Sequence, residues 1–209
     1  MAQILHIDAS PRAERSHSRR LANKFITAWK ATYLNDVVVY RDLGHESLPY
    51  VSESWVAAAF TPPEKHTPAL TTALELSESL IDEFKASDRY VFSIPMHNFT
   101  VPAIFKSYID QIVRVNRTFS VNERGEPLGL IKNKKMLIVT ARGGSYQPGS
   151  PTAAYDFQEP YLRGIFNYIG ITDLTFIHAD NLNMGTEARA QSLANAEAAV
   201  EKIVIDWRC

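Results

Sequence analysis

Five short runs dense in β-branched and aromatic residues recur along the chain with helical patterns between them. This alternation limits the fold more than any other feature. The runs are QILHID at 3–8, VVVYRDL at 37–43, RYVFSIPM at 89–96, KKMLIVTARGG at 134–144 and DLTFIHAD at 173–180. Their length and composition predict strands. Between the first two, Leu21, Phe25 and Trp29 recur at a spacing of four with Ala22, Ile26 and Tyr33 beside them, which predicts one apolar helix face. Residues 67–86, 102–115, 155–168 and 187–206 read as helices in the same way. Near-continuous apolar strands alternating with helices predict a parallel sheet covered on both faces by right-handed crossovers, a doubly wound α/β arrangement. A chain of 209 residues, 45% of them hydrophobic, holds one such domain, so residues 1–209 are expected to fold as a unit.

Two stretches exceed a minimal version of that plan. Residues 48–68, LPYVSESWVAAAFTPPEKHTP, carry Trp55, Phe60 and several prolines, and residues 118–131, TFSVNERGEPLGLI, predict a hairpin turning near Arg124 and Gly125. We expect both to be excursions at the rim of the sheet that wall a ligand pocket. Trp55, Phe60, Phe119 and Tyr168 suit either a partner surface or a satellite core under these loops.

Charge and cysteine content exclude several functions. A formal net charge of -1 gives no general attraction to nucleic acid or anionic membrane. Cys209 is the one cysteine, so no intrachain disulfide or cysteine zinc cluster can form, and a reducing compartment is expected. The start, MAQILHIDAS, has no basic region before a very short apolar run, which suits a cytoplasmic protein rather than a secreted or membrane-spanning one. His6, His17, His45, His66, His97 and His178 show no short-range ligand pairing, so no metal site is expected.

Ligands of open parallel sheets sit beyond the carboxyl ends of the strands. Three loops at that edge are unusual. The first, SPRAERSHS, lacks GxGxxG and GxxxxGK[ST], and offers Ser10, Ser16 and Ser18 instead. Those hydroxyls either cap the following helix or hold a phosphate at its N-terminus, and both roles suit serine. The second, PMHNF at 95–99, presents an apolar residue, an imidazole, a carboxamide and an aromatic ring, a set suited to a flat heteroaromatic with amide-like edges. In the third, ARGG, Gly143 and Gly144 let main chain approach a ligand and aim N–H groups at it. Together the three loops point to a phosphate-bearing planar cofactor.

The blocks SPRAERSHSRRLA, PMHNFTVPAIFKSYID, VTARGG and EPYLRGIFNYIGI resemble the FMN-dependent NADH:quinone oxidoreductases, also called FMN-dependent NADH azoreductases, nearly end to end. The resemblance implies a flavodoxin-like five-stranded parallel sheet of order 2-1-3-4-5 with noncovalent FMN. It also implies NADH or NADPH as donor, quinones and azo compounds as acceptors, and a homodimer with active sites at its interface. Two electrons would pass in turn through one pocket, a ping-pong scheme in which the cofactor carries the chemistry and no side chain is an essential acid or base. By position, Ser10, Ser16, His17 and Ser18 would hold the phosphate. Pro95, Met96, His97, Asn98 and Phe99 would wall the isoalloxazine, and Thr140, Ala141, Arg142, Gly143 and Gly144 would follow its pyrimidine side. Phe119, Tyr146 and Tyr168 are expected to border the substrate. The sequence departs from the family at His97, often Tyr, at Ala141, often Ser, and at Val121, often aromatic, all of which bear on substrate range. Two other classes compete: a flavodoxin-like electron carrier without turnover, and a serine hydrolase using Ser10, for which the GxSxG elbow is missing.

Overall fold

The computed structural model describes residues 1–207; Cys209 lies outside them. All five runs are strands: β1 (Gln3–Asp8), β2 (Val37–Asp42), β3 (Arg89–Pro95) and, after a hairpin of β4 (Phe119–Val121) and β5 (Pro127–Gly129), β6 (Lys135–Ala141) and β7 (Asp173–Ala179). The large sheet is parallel throughout, in the order β2-β1-β3-β6-β7. Counting its own strands, that is the expected 2-1-3-4-5. Order reverses between β1 and β3, the kind of place where a crevice opens at the carboxyl edge.

Alternation along the strands sorts the core onto two faces. Leu5, Ile7, Phe92, Ile94 and Ile138 pack on α3 (Pro68–Ala86), α4 (Ala103–Ile112) and α5 (Glu159–Ile169). Ile4, Val91, Leu137, Val139 and Ile177 pack on α1 (His17–Thr32) and α6 (Thr186–Asp206). The predicted α1 stripe is the contact: Leu21, Phe25 and Trp29 are buried. Each such side chain contributes roughly 1.5–3 kcal/mol by leaving water. Among the described residues no helix is long and apolar enough to cross a membrane.

Two helices differ from expectation at their ends. α4 stops at Ile112, because Val113 turns extended and Thr118 Oγ1 accepts from the Arg114 N–H. α5 starts at Glu159 rather than 155, because Asp156 Oδ1 accepts from the N–H groups of Gln158 and Glu159 and so fixes the first turn there.

The excursions are built as expected but lie elsewhere. Residues 48–68 contain α2 (Glu53–Phe60), which packs on α3, with Trp55 Nε1 donating to Gln111 Oε1 at the end of α4. The hairpin turns at Gly125, φ +80°, as predicted. It sits under the amino edge of the sheet, where Ile131 N donates to Ile169 O and Phe119 meets Tyr168 at 4.8 Å between ring centroids. Neither excursion lines the cleft at the carboxyl edge. The hairpin misses it because α4 carries the chain back to the amino edge before residues 118–131 are reached, and residues 48–68 pack instead on α3 and the end of α4.

Candidate functional site

Asp8 and Asp42 end β1 and β2 in register with Ser93 of β3, and the loops beyond these strands enclose a cleft of 290 Å³. The β1–α1 loop supplies Ser10, Arg12, Ser16 and His17 at one end. Pro95, Met96 and His97 form one wall, Ala141, Arg142 and Gly143 a second. A fourth loop, after β7, closes the remaining side with Leu182 and Asn183, and Arg189 follows from the first turn of α6. Sequence reasoning missed this loop, although HADNLNMG follows the fifth strand at the same edge as the other three.

The β1–α1 loop is fixed from behind. Arg19 of α1 donates from Nε to the Ser10 carbonyl at 2.9 Å and from Nη1 to Asp42 Oδ2 at 2.8 Å, tying loop, helix and β2 together. A Cβ on Gly44 would fall 2.2 Å from the Ser10 oxygen, so only glycine allows the chain after β2 to come this close. Asp8, buried below, accepts from the Ser93 hydroxyl at 2.6 Å and from Tyr40 at 3.0 Å. Burial alone would raise the Asp42 carboxyl, but the hydrogen bonds from Arg19 and His45 outweigh it and bring the group to about 2.

Of the three serines, Ser10 and Ser16 line the cleft, and Ser16 also caps α1, its Oγ accepting from the Arg19 N–H at 3.4 Å. Ser18 is fully buried with Oγ 3.2 Å from Ser16 Oγ, so its hydroxyl is sealed behind Ser16 and does not reach the cleft wall. Its main-chain N–H and that of His17 are first-turn donors which the helix cannot use itself. His17 Nδ1 is buried without a hydrogen-bond partner. Burial lowers the basicity of this imidazole, and the positive charges of Arg20, Arg12 and Arg189 lower it further.

In the second loop the His97 and Thr100 main chains pair reciprocally across a tight turn. Asn98 and Phe99 occupy its centre, both left-handed at φ +47° and +71°. A turn of this hand matches strand twist but strains residues other than glycine. It holds the half-exposed Phe99 ring against Tyr155 and Tyr146, at 5.4 and 6.2 Å between centroids, beside the cleft rather than in its wall.

The third loop uses its residues differently from expectation. Thr140 is fully buried, with Oγ1 2.7 Å from His178 Nδ1, so its side chain is off the cleft. Arg142 sends its guanidinium inward: Nε and Nη2 donate to Asp180 at 2.5 and 2.9 Å and Nη1 to Asp156 at 2.9 Å. Neither Gly143 nor Gly144 has a positive φ. Gly143 packs against the Asn183 side chain instead: a Cβ there would lie 2.7 Å from Asn183 Nδ2, and that amide would have to shift. The carbonyls of Gly143 and Gly144 accept from Asn183 and Asn181, while their own N–H groups have no protein acceptor among the described residues.

Phe119 and Tyr168 stand apart. Tyr168 is nine residues along α5 from Glu159, about 14 Å down the helix, so within one chain neither ring borders the cleft. Tyr146 is not in the cleft wall either: it lines a neighbouring pocket with Asp156 and His178, its ring 5.5 Å from the guanidinium carbon of Arg142, which the two cavities share. Among the described residues no His, Cys, Asp and Glu cluster could hold a metal ion.

A reversed-order parallel sheet with an anion-ready cleft of main-chain donors at its carboxyl edge defines a flavodoxin-like nucleotide-binding protein. Residues 2–204 match the family model described as flavodoxin-like fold. Within that class the chain belongs to the family of FMN-dependent NADH:quinone oxidoreductases. It is 58% identical over 207 residues to FMN-dependent NADH:quinone oxidoreductase 2 of Trichormus variabilis, covering 99% of this chain and 100% of the relative. It is 41% identical over 196 residues to FMN-dependent NADH:quinone oxidoreductase 3 of Pseudomonas aeruginosa, covering 94% and 90%. Among solved structures, the azoreductase from Bacillus anthracis superposes with a TM-score of 0.90 at 28% identity, covering 98% of this chain and 99% of that one.

Proposed function

We propose that the protein is an FMN-dependent NAD(P)H:quinone oxidoreductase that also reduces aromatic azo compounds. The observation that carries the reading is the cleft itself, in a chain 58% identical to a relative of that name. Its residues fit FMN. The phosphate end offers the unpartnered His17 Nδ1, the first-turn N–H groups of α1 and two arginines. The walls at 95–97 and 141–143 are spaced by paired strands, as a planar ring requires. FMN, when bound, accepts two electrons from the nicotinamide donor and passes them to the acceptor.

The protein's own part is to bind, orient and polarise. The N–H groups of Gly143 and Gly144 would stabilise negative charge at the pyrimidine edge. Phe99, Tyr146 and Tyr155 offer aromatic faces beside the cleft for a planar substrate. One such surface serves donor and acceptor in turn, which is a ping-pong scheme.

The active form in this reading is a homodimer with its sites at the interface. Phe60, Val121, Leu128, Leu130, Phe157 and Tyr168 are exposed apolar side chains that a second copy would cover in this reading. Phe119 and Tyr168 border substrate in this reading only when a second copy brings them to the cleft. A reducing, cytoplasmic location is consistent with a sequence whose one cysteine is Cys209.

The purified protein should be yellow and release one FMN, not FAD, per chain on heating. Rapid mixing with NADH alone should bleach the flavin absorbance within the turnover time, and initial rates with a simple benzoquinone should give parallel double-reciprocal lines. A flavin that stays oxidised on that timescale would replace this reading with that of an electron carrier.

A further inference from the structure

We infer that Arg12 and Arg189 form a two-sided cationic clamp at the phosphate end of the cleft, and that this clamp contributes more than the serine hydroxyls to preference for FMN over riboflavin. The inference deepens the proposed function and rests on it.

Arg12 comes from the loop after β1 and Arg189 from the first turn of α6, yet both line the end of the cleft that holds Ser16 and His17. Tertiary folding thus brings together two cations 177 positions apart in a chain whose net charge is -1. Neither forms an ion pair with a carboxylate among the described residues, whereas Arg19, Arg41, Arg114, Arg117, Arg142 and Arg163 all do. No carboxylate among the described residues therefore lies within 4.0 Å of either guanidinium, as is also true of Arg15, Arg20, Arg89 and Arg124, none of which lines the cleft.

Their placement is supported locally. The Arg12 N–H donates to Ser10 Oγ at 3.3 Å, and Arg189 donates from Nε to the Leu182 carbonyl at 2.7 Å, which leaves its Nη groups for another acceptor. The partly buried imidazole of His17 lies between these cations: burial lowers its basicity first, and the charges of Arg20, Arg12 and Arg189 lower it further.

The hydroxyls are weaker candidates for the main charge contact. Ser18 Oγ is sealed behind Ser16, while Ser10 and Ser16, whose Oγ atoms accept from the Arg12 and Arg19 N–H groups, have one O–H each left to donate. They are also neutral. A phosphate monoester carries nearly two negative charges at neutral pH, and hydrogen bonds between ionised partners are about twice as strong as neutral ones. Two guanidinium groups at the N-terminus of a helix match such a ligand in sign and number.

The test titrates the flavin-free protein with FMN and with riboflavin, following fluorescence quenching at low and at high salt. Wild type should bind FMN more tightly than riboflavin, and the margin should shrink as salt rises. Arg12→Gln and Arg189→Gln should each weaken FMN by roughly tenfold and leave riboflavin within about twofold. Arg189→Lys, which keeps the charge but cannot repeat the bond to Leu182, should restore most of the FMN preference lost in Arg189→Gln. Equal weakening of both flavins, a salt-independent margin, or a lysine variant no better than glutamine would overturn the clamp. A wild-type protein that takes up neither flavin would instead sink the cofactor reading, and the clamp with it.

Discussion

Replacing Arg142 by Gln should destabilise the protein far more than a change in a surface loop ordinarily does. The Arg142 side chain is 1% exposed, and its partners Asp180 and Asp156 are 7% and 12% exposed. Glutamine is too short and uncharged to meet both, so two carboxylates are left without their shared cation in a place that water barely enters. Removing one partner of a buried pair costs about 3–5 kcal/mol, most of it the penalty of the charge left behind. For a chain of this length each kcal/mol moves the melting temperature by roughly 2–4 °C, so the fall should be about 6–20 °C. Thermal unfolding of the flavin-free protein by circular dichroism measures it. The double change Arg142→Met with Asp180→Leu removes the guanidinium together with its two-bond partner, and should recover a large part of the loss. A drop of less than about 3 °C in the single variant, or a double variant no better than the single, would refute the idea that this pair ties the cleft loops together. The three segments it joins also contain the Asp156 cap of α5 and the Leu182 wall, so flavin affinity should fall with stability.

Acid should remove the contribution of Asp42. A carboxylate held at about 2 against an ordinary 3.8 contributes stability that is complete above about pH 4 and is lost as pH falls towards 2. Asp42→Asn should therefore be less stable than wild type near neutral pH by about 1–2 kcal/mol, once solvent screening at a partly exposed group is counted. The gap in denaturant midpoints should narrow as pH falls through that window; a constant gap would show that the ion pair with Arg19 is not its source. Ser16→Ala should cost the α1 cap about 1 kcal/mol, or roughly 2–4 °C in melting temperature. Ser18→Ala should leave the preference for FMN over riboflavin unchanged, and loss of that preference would place its hydroxyl on the ligand.

Much of the architecture was legible along the chain. The five apolar runs and the stripe of Leu21, Phe25 and Trp29 depend on side-chain periods of two and about 3.6, which neighbouring residues set among themselves. The hairpin at Gly125 was equally local. Loops at the carboxyl edge followed from strand direction, so Ser10, Ser16, His17, Met96, His97, Ala141 and Gly143 could be grouped before any coordinates.

What the tertiary structure alone decided was where side chains point and which distant segments share an edge. The roles of Thr140 and Arg142 depend on His178, Asp156 and Asp180, partners that only the pairing of β6 with β7 and the return of α5 bring near. The fourth loop, with Asn183 and Arg189, joins the cleft because β7 lies beside β6; the hairpin and Tyr168 miss it because α4 and α5 run back to the amino edge before they are reached, and residues 48–68 pack instead on α3 and the end of α4. Local periodicity settles the type of each element, since its energy comes from contacts a few residues apart. The facing of a loop side chain is settled by desolvation and charge pairing between segments far apart in sequence, and those energies exist only once the sheet has assembled.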